Sequence, residues 1–130
     1  MDKNCTIYKT ADFIGKKWTL FIILELYKEN LRSKRFLELK NNLPKITPKI
    51  LSLRLKELEA IGLITKKIYT KSFPIRCEYS LTESGKEFMN VVKYIKKWAL
   101  KWKLNNSVCE STDCKNCKIP KEHTFSNHAL

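Results

Sequence analysis

A mainly helical chain with one small β-hairpin is the fold class this sequence predicts, and three observations predict it. Apolar residues recur at three-four spacing before residue 62 and again after residue 82, the period of amphipathic helices. Between those regions the period drops to two: Ile75, Cys77, Tyr79 and Leu81 alternate with Arg76, Glu78 and Ser80. The punctuation agrees. Thr47-Pro48 can open a helix, Gly62 can close it, and Lys71-Ser72-Phe73-Pro74 reads as a hairpin tip.

In chain order, Ile7, Ala11 and Ile14 define a first helix over residues 6–14, ending near Gly15. The run WTLFIILELYK is apolar nearly all round, so it belongs at the centre of the domain or at a subunit interface. Residues 30–33 read as a turn, with Ser33 capping a short helix through RFLELKNNL whose inward side is Phe36, Leu39 and Leu43. Pro44-Lys45-Ile46 then turns the chain into a helix over 48–61. Leu51, Leu55 and Leu58 lie on one face of that helix; Lys49, Ser52, Leu53 and Lys56 lie on the opposite one. Two short helices, a tight turn between them and a basic outer side to the second make the helix-turn-helix layout.

The next stretch, Leu63–Thr70, is rich in β-branched residues and supplies the first strand. The second strand places Cys77 inward with Ile75 and Tyr79, as a small core residue. Lys66, Lys67, Lys71 and Arg76 make the hairpin basic. Helix, turn, helix and basic hairpin together describe a winged helix-turn-helix. Thr82 can cap a last helix from Glu83 to about Leu104, along which Phe88, Val92, Ile95, Ala99 and Trp102 form an apolar stripe widened by Val91 and Trp98. Its length and two tryptophans mark it as an interface element. Beyond it periodicity ends, which divides the chain into a domain over 5–104 and a Cys-containing tail over 105–130.

Charge points to the partner. The formal net charge is +13, and residues 31–76 hold 12 Lys/Arg against 3 Asp/Glu, whereas residues 105–130 hold 3 of each. The basic excess therefore surrounds the 48–61 helix, as a nucleic-acid footprint would. The longest apolar run, Leu20–Leu24, is far too short to span a bilayer, and the N-terminus lacks a secretory layout. A cytoplasmic protein without membrane partners is expected, its five cysteines serving as reduced thiols, metal ligands or redox sensors. No enzyme constellation is present: Gly15, Gly62 and Gly85 are too scattered to cradle a phosphate, and both histidines fall in the tail.

The runs IGKKWTLFIILEL, RFLELKNNLPKITPKILSLRLKELEAIGLI and PIRCEYSLTESGKE resemble the HxlR-type winged-helix transcriptional regulators, in unbroken order over residues 5–104. The resemblance implies a homodimeric repressor or activator that binds double-stranded DNA. The 48–61 helix would lie in the major groove, the 63–81 hairpin would be the wing, and the first and last helices would form the dimer. On this reading the DNA-binding residues are Thr47, Lys49, Ser52, Leu53, Arg54, Lys56, Lys66, Lys67, Lys71 and Arg76. The dimer residues are Trp18, Val92, Ile95, Trp98, Ala99 and Trp102. Two positions depart from the family pattern: Leu53 stands where relatives often carry a polar residue such as Gln, and Thr6 replaces the usual proline after Cys5. Cys5 matches a cysteine that senses oxidants or electrophiles in some members, which makes it the candidate redox sensor.

In the tail, Cys109, Cys114 and Cys117 with His123 have the residue types of a tetrahedral site, so zinc or iron is the candidate cofactor there. A flexible tail of free thiols and a redox pair at Cys114 and Cys117 are the alternatives. Two other functional classes stay open from sequence: an RNA-binding or protein-interaction module using the same basic face, and a metal or redox sensor whose tail carries the main function.

Overall fold

The nearly all-apolar run becomes the axis of the molecule. The computed structural model describes residues 1–117 and the backbone of 126–127. Its elements are α1 (Thr6–Ile14), α2 (Lys17–Leu31), α3 (Phe36–Asn42), α4 (Pro48–Ala60), β1 (Ile64–Tyr69), β2 (Arg76–Leu81), α5 (Glu83–Trp102), β3 (Leu104–Asn105), α6 (Ser107–Ser111), a single 3-10 turn at Cys114–Asn116, and β4 (Ser126–Asn127). Helix α2 touches α1, α3, α4, α5, β2 and the 3-10 turn. Ile22, Ile23 and Leu26 are accordingly buried on all sides.

The end of α2 is held by a buried cation. Helical geometry stops at Lys28, and Glu29, Asn30 and Leu31 follow with φ of 54°, 56° and 65°, the left-handed region. That turn leaves the last helical carbonyls without amide donors. Lys34, fully buried, replaces them: its Nζ donates to Glu25 O at 2.6 Å and to Lys28 O at 3.4 Å. Its backbone exchanges two hydrogen bonds with Tyr79, at 2.9 and 2.8 Å, and so adds a third rung beside β2. This pairing keeps residues 33–35 out of helical geometry. Ser33 therefore does not cap α3, as the sequence suggested; the helix starts after Arg35, and the Ser33 hydroxyl donates to Glu78 at 3.2 Å.

Burial also pushes the Lys34 ammonium below the ordinary lysine range. The unfolded chain then binds that proton more tightly than the native one. Stability is expected to rise with pH from the lowered native value up to the ordinary 10.5, and to lose this rise in Lys34→Met. Lys34→Ala, which opens a hole and strands two carbonyls, should cost about 3 kcal/mol. Urea denaturation at a series of alkaline pH values checks both. A flat profile for the parent protein would contradict the buried charge.

The helix-turn-helix forms as its residues dictate. Lys45 takes φ 71° in the turn, and Thr47 Oγ1 accepts from Ile50 N at 3.2 Å with Pro48 in the first helical turn. Leu51, Leu55 and Leu58 are buried against the core, and Gly62 closes the helix at φ 83°. Strands β1 and β2 pair antiparallel from Ile64 opposite Leu81 to Tyr69 opposite Arg76. Tyr79 and Leu81 face the core as the alternation requires. Ile75 does not: it precedes β2 and is 64% exposed, while Cys77 is half-buried opposite Ile68. The alternation is right, but the hairpin extends past the core before Cys77.

Thr82 caps α5, accepting from Gly85 N at 3.1 Å and donating to Gly62 O at 2.6 Å, which ties the foot of the wing to the start of the last helix. Helix α5 ends at Trp102; Leu104 instead opens β3, which pairs with β4. Residues 107–117, which lack apolar periodicity, nonetheless fold back through a polar clasp. Lys96 donates to Thr112 O at 2.7 Å, Lys93 meets Asp113 at 3.7 Å, and Lys93 and Lys115 both lie over the Tyr27 ring. Among the described residues no helix is long and apolar enough to cross a membrane.

Candidate nucleic-acid interface

Buried leucines fix which side of α4 is outward. With Leu51, Leu55 and Leu58 against the core, Lys49 and Lys56 are exposed, Leu53 is 45% exposed, and Ser52 is half-buried beside them. Lys49, Lys56 and, at the hairpin tip, Lys71 make no ion pair or hydrogen bond among the described residues. They are cations available to an external anion.

Three of the sequence-predicted contacts are occupied within the chain. Thr47 spends its hydroxyl oxygen on the helix cap. Arg54 donates to Glu57 at 3.2 Å and is largely covered; Glu57 also accepts from Lys16 at 3.2 Å, so one carboxylate pins α4 to the start of α2. Arg76 stacks on the Tyr69 ring, 4.3 Å from its centroid, and approaches Glu78 at 3.8 Å. The hairpin also divides its charge. Strand register puts Lys66 on the face of Tyr79, whose ring it approaches at 5.9 Å, and Lys67 on the opposite face over Tyr69 at 5.0 Å. Burial pushes the Tyr79 phenol above its ordinary range, so it stays neutral beneath Lys66. Sequence reasoning passed over Lys45. This exposed cation sits at the left-handed corner leading into α4, and the Pro-Lys turn next to the helix start was the signal for it.

Away from this face, α5 carries an apolar strip that the described residues leave largely exposed, with Lys97 over the Tyr94 ring and Lys101 over the Trp102 ring. Val91, Tyr94, Ile95, Trp98 and Trp102 are between 43% and 71% exposed. Of the predicted dimer residues, Ile95, Trp98 and Trp102 belong to this strip, with half-buried Ala99 at its edge. Val92 and Trp18 instead pack against the chain's own core, Trp18 meeting Phe21 edge-on at 5.7 Å. Tyr94, missed by the stripe, follows from the i, i+3, i+4 spacing with Val91, Ile95 and Trp98.

All five cysteines are free and half-buried. Cys5 precedes α1, and its carbonyl accepts from Lys9 N at 3.1 Å. Cys109 comes near Cys114 and Cys117, and Lys96 lies near both Cys109 and Cys114. Among the described residues no three His, Cys, Asp or Glu groups are arranged to hold a metal ion, and His123 lies outside those residues.

Known proteins are similar to this chain in sequence and fold. The chain is 37% identical over 94 residues to YvaP of Bacillus subtilis, covering 72% of this chain and 83% of YvaP. It is 39% identical over 101 residues to YdeP of the same organism, covering 78% of this chain and 76% of YdeP. Both are named as uncharacterized HTH-type transcriptional regulators. Among solved structures, the reduced form of the transcriptional regulator YodB from B. subtilis superposes with a TM-score of 0.66 at 31% identity, covering 84% of this chain and 98% of YodB. The redox regulator HypR in its oxidized form gives 0.65 at 35% identity, over 75% and 96%. The model of the HxlR-like helix-turn-helix family matches residues 13–107, a span that holds both helices of the motif, the hairpin and α5. This chain therefore belongs to the HxlR-like helix-turn-helix family of winged-helix transcriptional regulators.

Proposed function

We propose that the protein is a cytoplasmic homodimer that binds a roughly two-fold symmetric operator in double-stranded DNA, with residues 5–104 as the working domain. The observation that carries this reading is the outward face of α4, where Lys49 and Lys56 stand on either side of Ser52 and Leu53 with no ion pair or hydrogen bond among the described residues. A helix presented in this way enters the major groove, phosphates supplying much of the affinity and base edges the specificity. The exposed strip on α5 favours a second copy of the chain as its cover, which would relate two α4 helices by a two-fold axis. Cys5, half-buried at the start of α1, is the candidate thiol for redox response, a reading supported by the likeness to a redox regulator.

A gel shift against the DNA flanking its own gene, with excess non-specific DNA and with RNA as competitors, tests this. A discrete complex resistant to both is expected. A complex lost equally to RNA would favour the alternative of an RNA-binding module. Lys49→Ala and Lys56→Ala should each weaken binding and lower the salt slope by about one unit. Unchanged slopes in both would move phosphate contact off α4. Leu53 cannot hydrogen-bond to a base but can pack on a thymine methyl. Leu53→Gln is therefore expected to shift preference at one base position by about 1–3 kcal/mol. Site selection returning one consensus for both proteins would remove Leu53 from recognition.

A further inference from the structure

The clasp beside α5 places two thiols at the two ends of one 3-10 turn, next to a cationic cavity. Cys117 N donates to Cys114 O at 3.3 Å, closing a turn around Lys115 and Asn116. Such a turn keeps its first and fourth Cα atoms within about 7 Å. That range overlaps the roughly 4.4–6.8 Å that a disulfide spans. The Cys114 sulfur accepts from Lys96 Nζ at 3.7 Å, so an ammonium sits where the charge of an attacking sulfur is carried. A cavity of about 470 Å³ opens at the same sulfur. Among the described residues, Lys93, Lys96, Lys97 and Lys101 line it against Glu110 and Asp113, a surplus of two positive charges.

We propose that Cys114 and Cys117 form a reversible thiol-oxidation site whose reagent is an anionic low-molecular-weight disulfide bound in this lysine-lined cavity. Cys114, deprotonated, attacks one sulfur of the reagent RS–SR; a mixed disulfide forms and RS⁻ leaves. The Cys117 thiolate then attacks the Cys114 sulfur, closing the protein disulfide and expelling the second RS⁻. Two protein thiols are oxidised, one small disulfide is reduced, and the two thiol protons end on two RSH. Cys109 stands outside this turn, in α6, five residues before Cys114. The site goes beyond DNA binding and does not depend on it, so failure of either leaves the other intact.

The test uses the full-length reduced protein with three reagents: oxidised glutathione, which is anionic, hydroxyethyl disulfide, which is neutral, and cystamine, which is cationic. Alkylation and peptide mapping should find one intrachain Cys114–Cys117 disulfide with Cys109 alkylated throughout. Glutathione should react about tenfold faster than cystamine at low salt, and the gap should close as salt rises. Lys97→Gln with Lys101→Gln should remove most of that preference, although it changes the net charge only from +13 to +11. Cys117→Ser should stop at one glutathione on Cys114, and Cys114→Ser should leave Cys117 unmodified. Equal rates for the three reagents, an interchain disulfide, or a disulfide that includes Cys109 would overturn the assignment. Circular dichroism of each variant separates these results from misfolding.

Discussion

A protein carrying glutamate at both Ile95 and Trp98 is expected to sediment as a monomer and to bind operator DNA about a hundredfold more weakly or worse. Both side chains are exposed on α5, at 45% and 57%, and neither belongs to the core that Met89 and Gly85 join from the other side of that helix. The fold should therefore survive, while two carboxylates enter the surface proposed to be covered by a second copy. An unpaired charge in such an interface is strongly unfavourable. The DNA effect is larger than any single contact, because a dimer makes its second half-site engagement intramolecular and gains about 10²–10⁴ in affinity. Sedimentation velocity at micromolar concentration and a titration against a full and a half operator give the two readouts. A dimeric double variant would place the subunit interface elsewhere, and with it the two-fold operator.

Gly85→Ala is expected to destabilise the protein by about 3 kcal/mol or more, or to prevent folding. A Cβ at this position would meet Leu63 O at 2.1 Å and the Leu81 side chain at 3.1 Å. The carbonyl cannot simply move, because it also accepts from Thr82 N at 3.1 Å. The better helix propensity of alanine returns only about 1 kcal/mol, so overpacking decides the sign. Gly62 is the useful contrast. Among the described residues nothing lies within 4 Å of its added Cβ, and its φ of 83° is unfavourable, so Gly62→Ala should cost about 1–2 kcal/mol. Urea midpoints rank the two. A Gly85→Ala variant as stable as the parent would mean that α5 does not approach Leu63 so closely.

These two glycines also show how far the sequence could be read. Gly62 announced itself, because a glycine after an amphipathic run is a local signal for a left-handed stop. Gly85 did not: it lies early in a helix, where nothing local explains it, and its reason is a carbonyl twenty-two positions away. Lys34 is the same kind of case. One lysine among many basic residues reads as surface, yet the turn after α2 and the backbone of Tyr79 enclose it completely.

What the sequence determined by itself is whatever depends on neighbours three or four residues apart. That covers the five main helices, the caps at Thr47 and Thr82, the leucine face of α4 and, through it, the outward Lys49, Ser52, Leu53 and Lys56. Periodicity and capping are local physics, so they survive without coordinates. The tertiary structure alone decided which outward charges remain free. Arg54 is taken by Glu57, Arg76 by Tyr69 and Glu78, and Val92 and Trp18 by the core, while Lys45 and Tyr94 are left to solvent. It also decided that Cys114 stands beside Lys96 rather than in open chain. Ion pairs, ring contacts and cavities join residues remote in sequence, and only folding brings them within reach of one another.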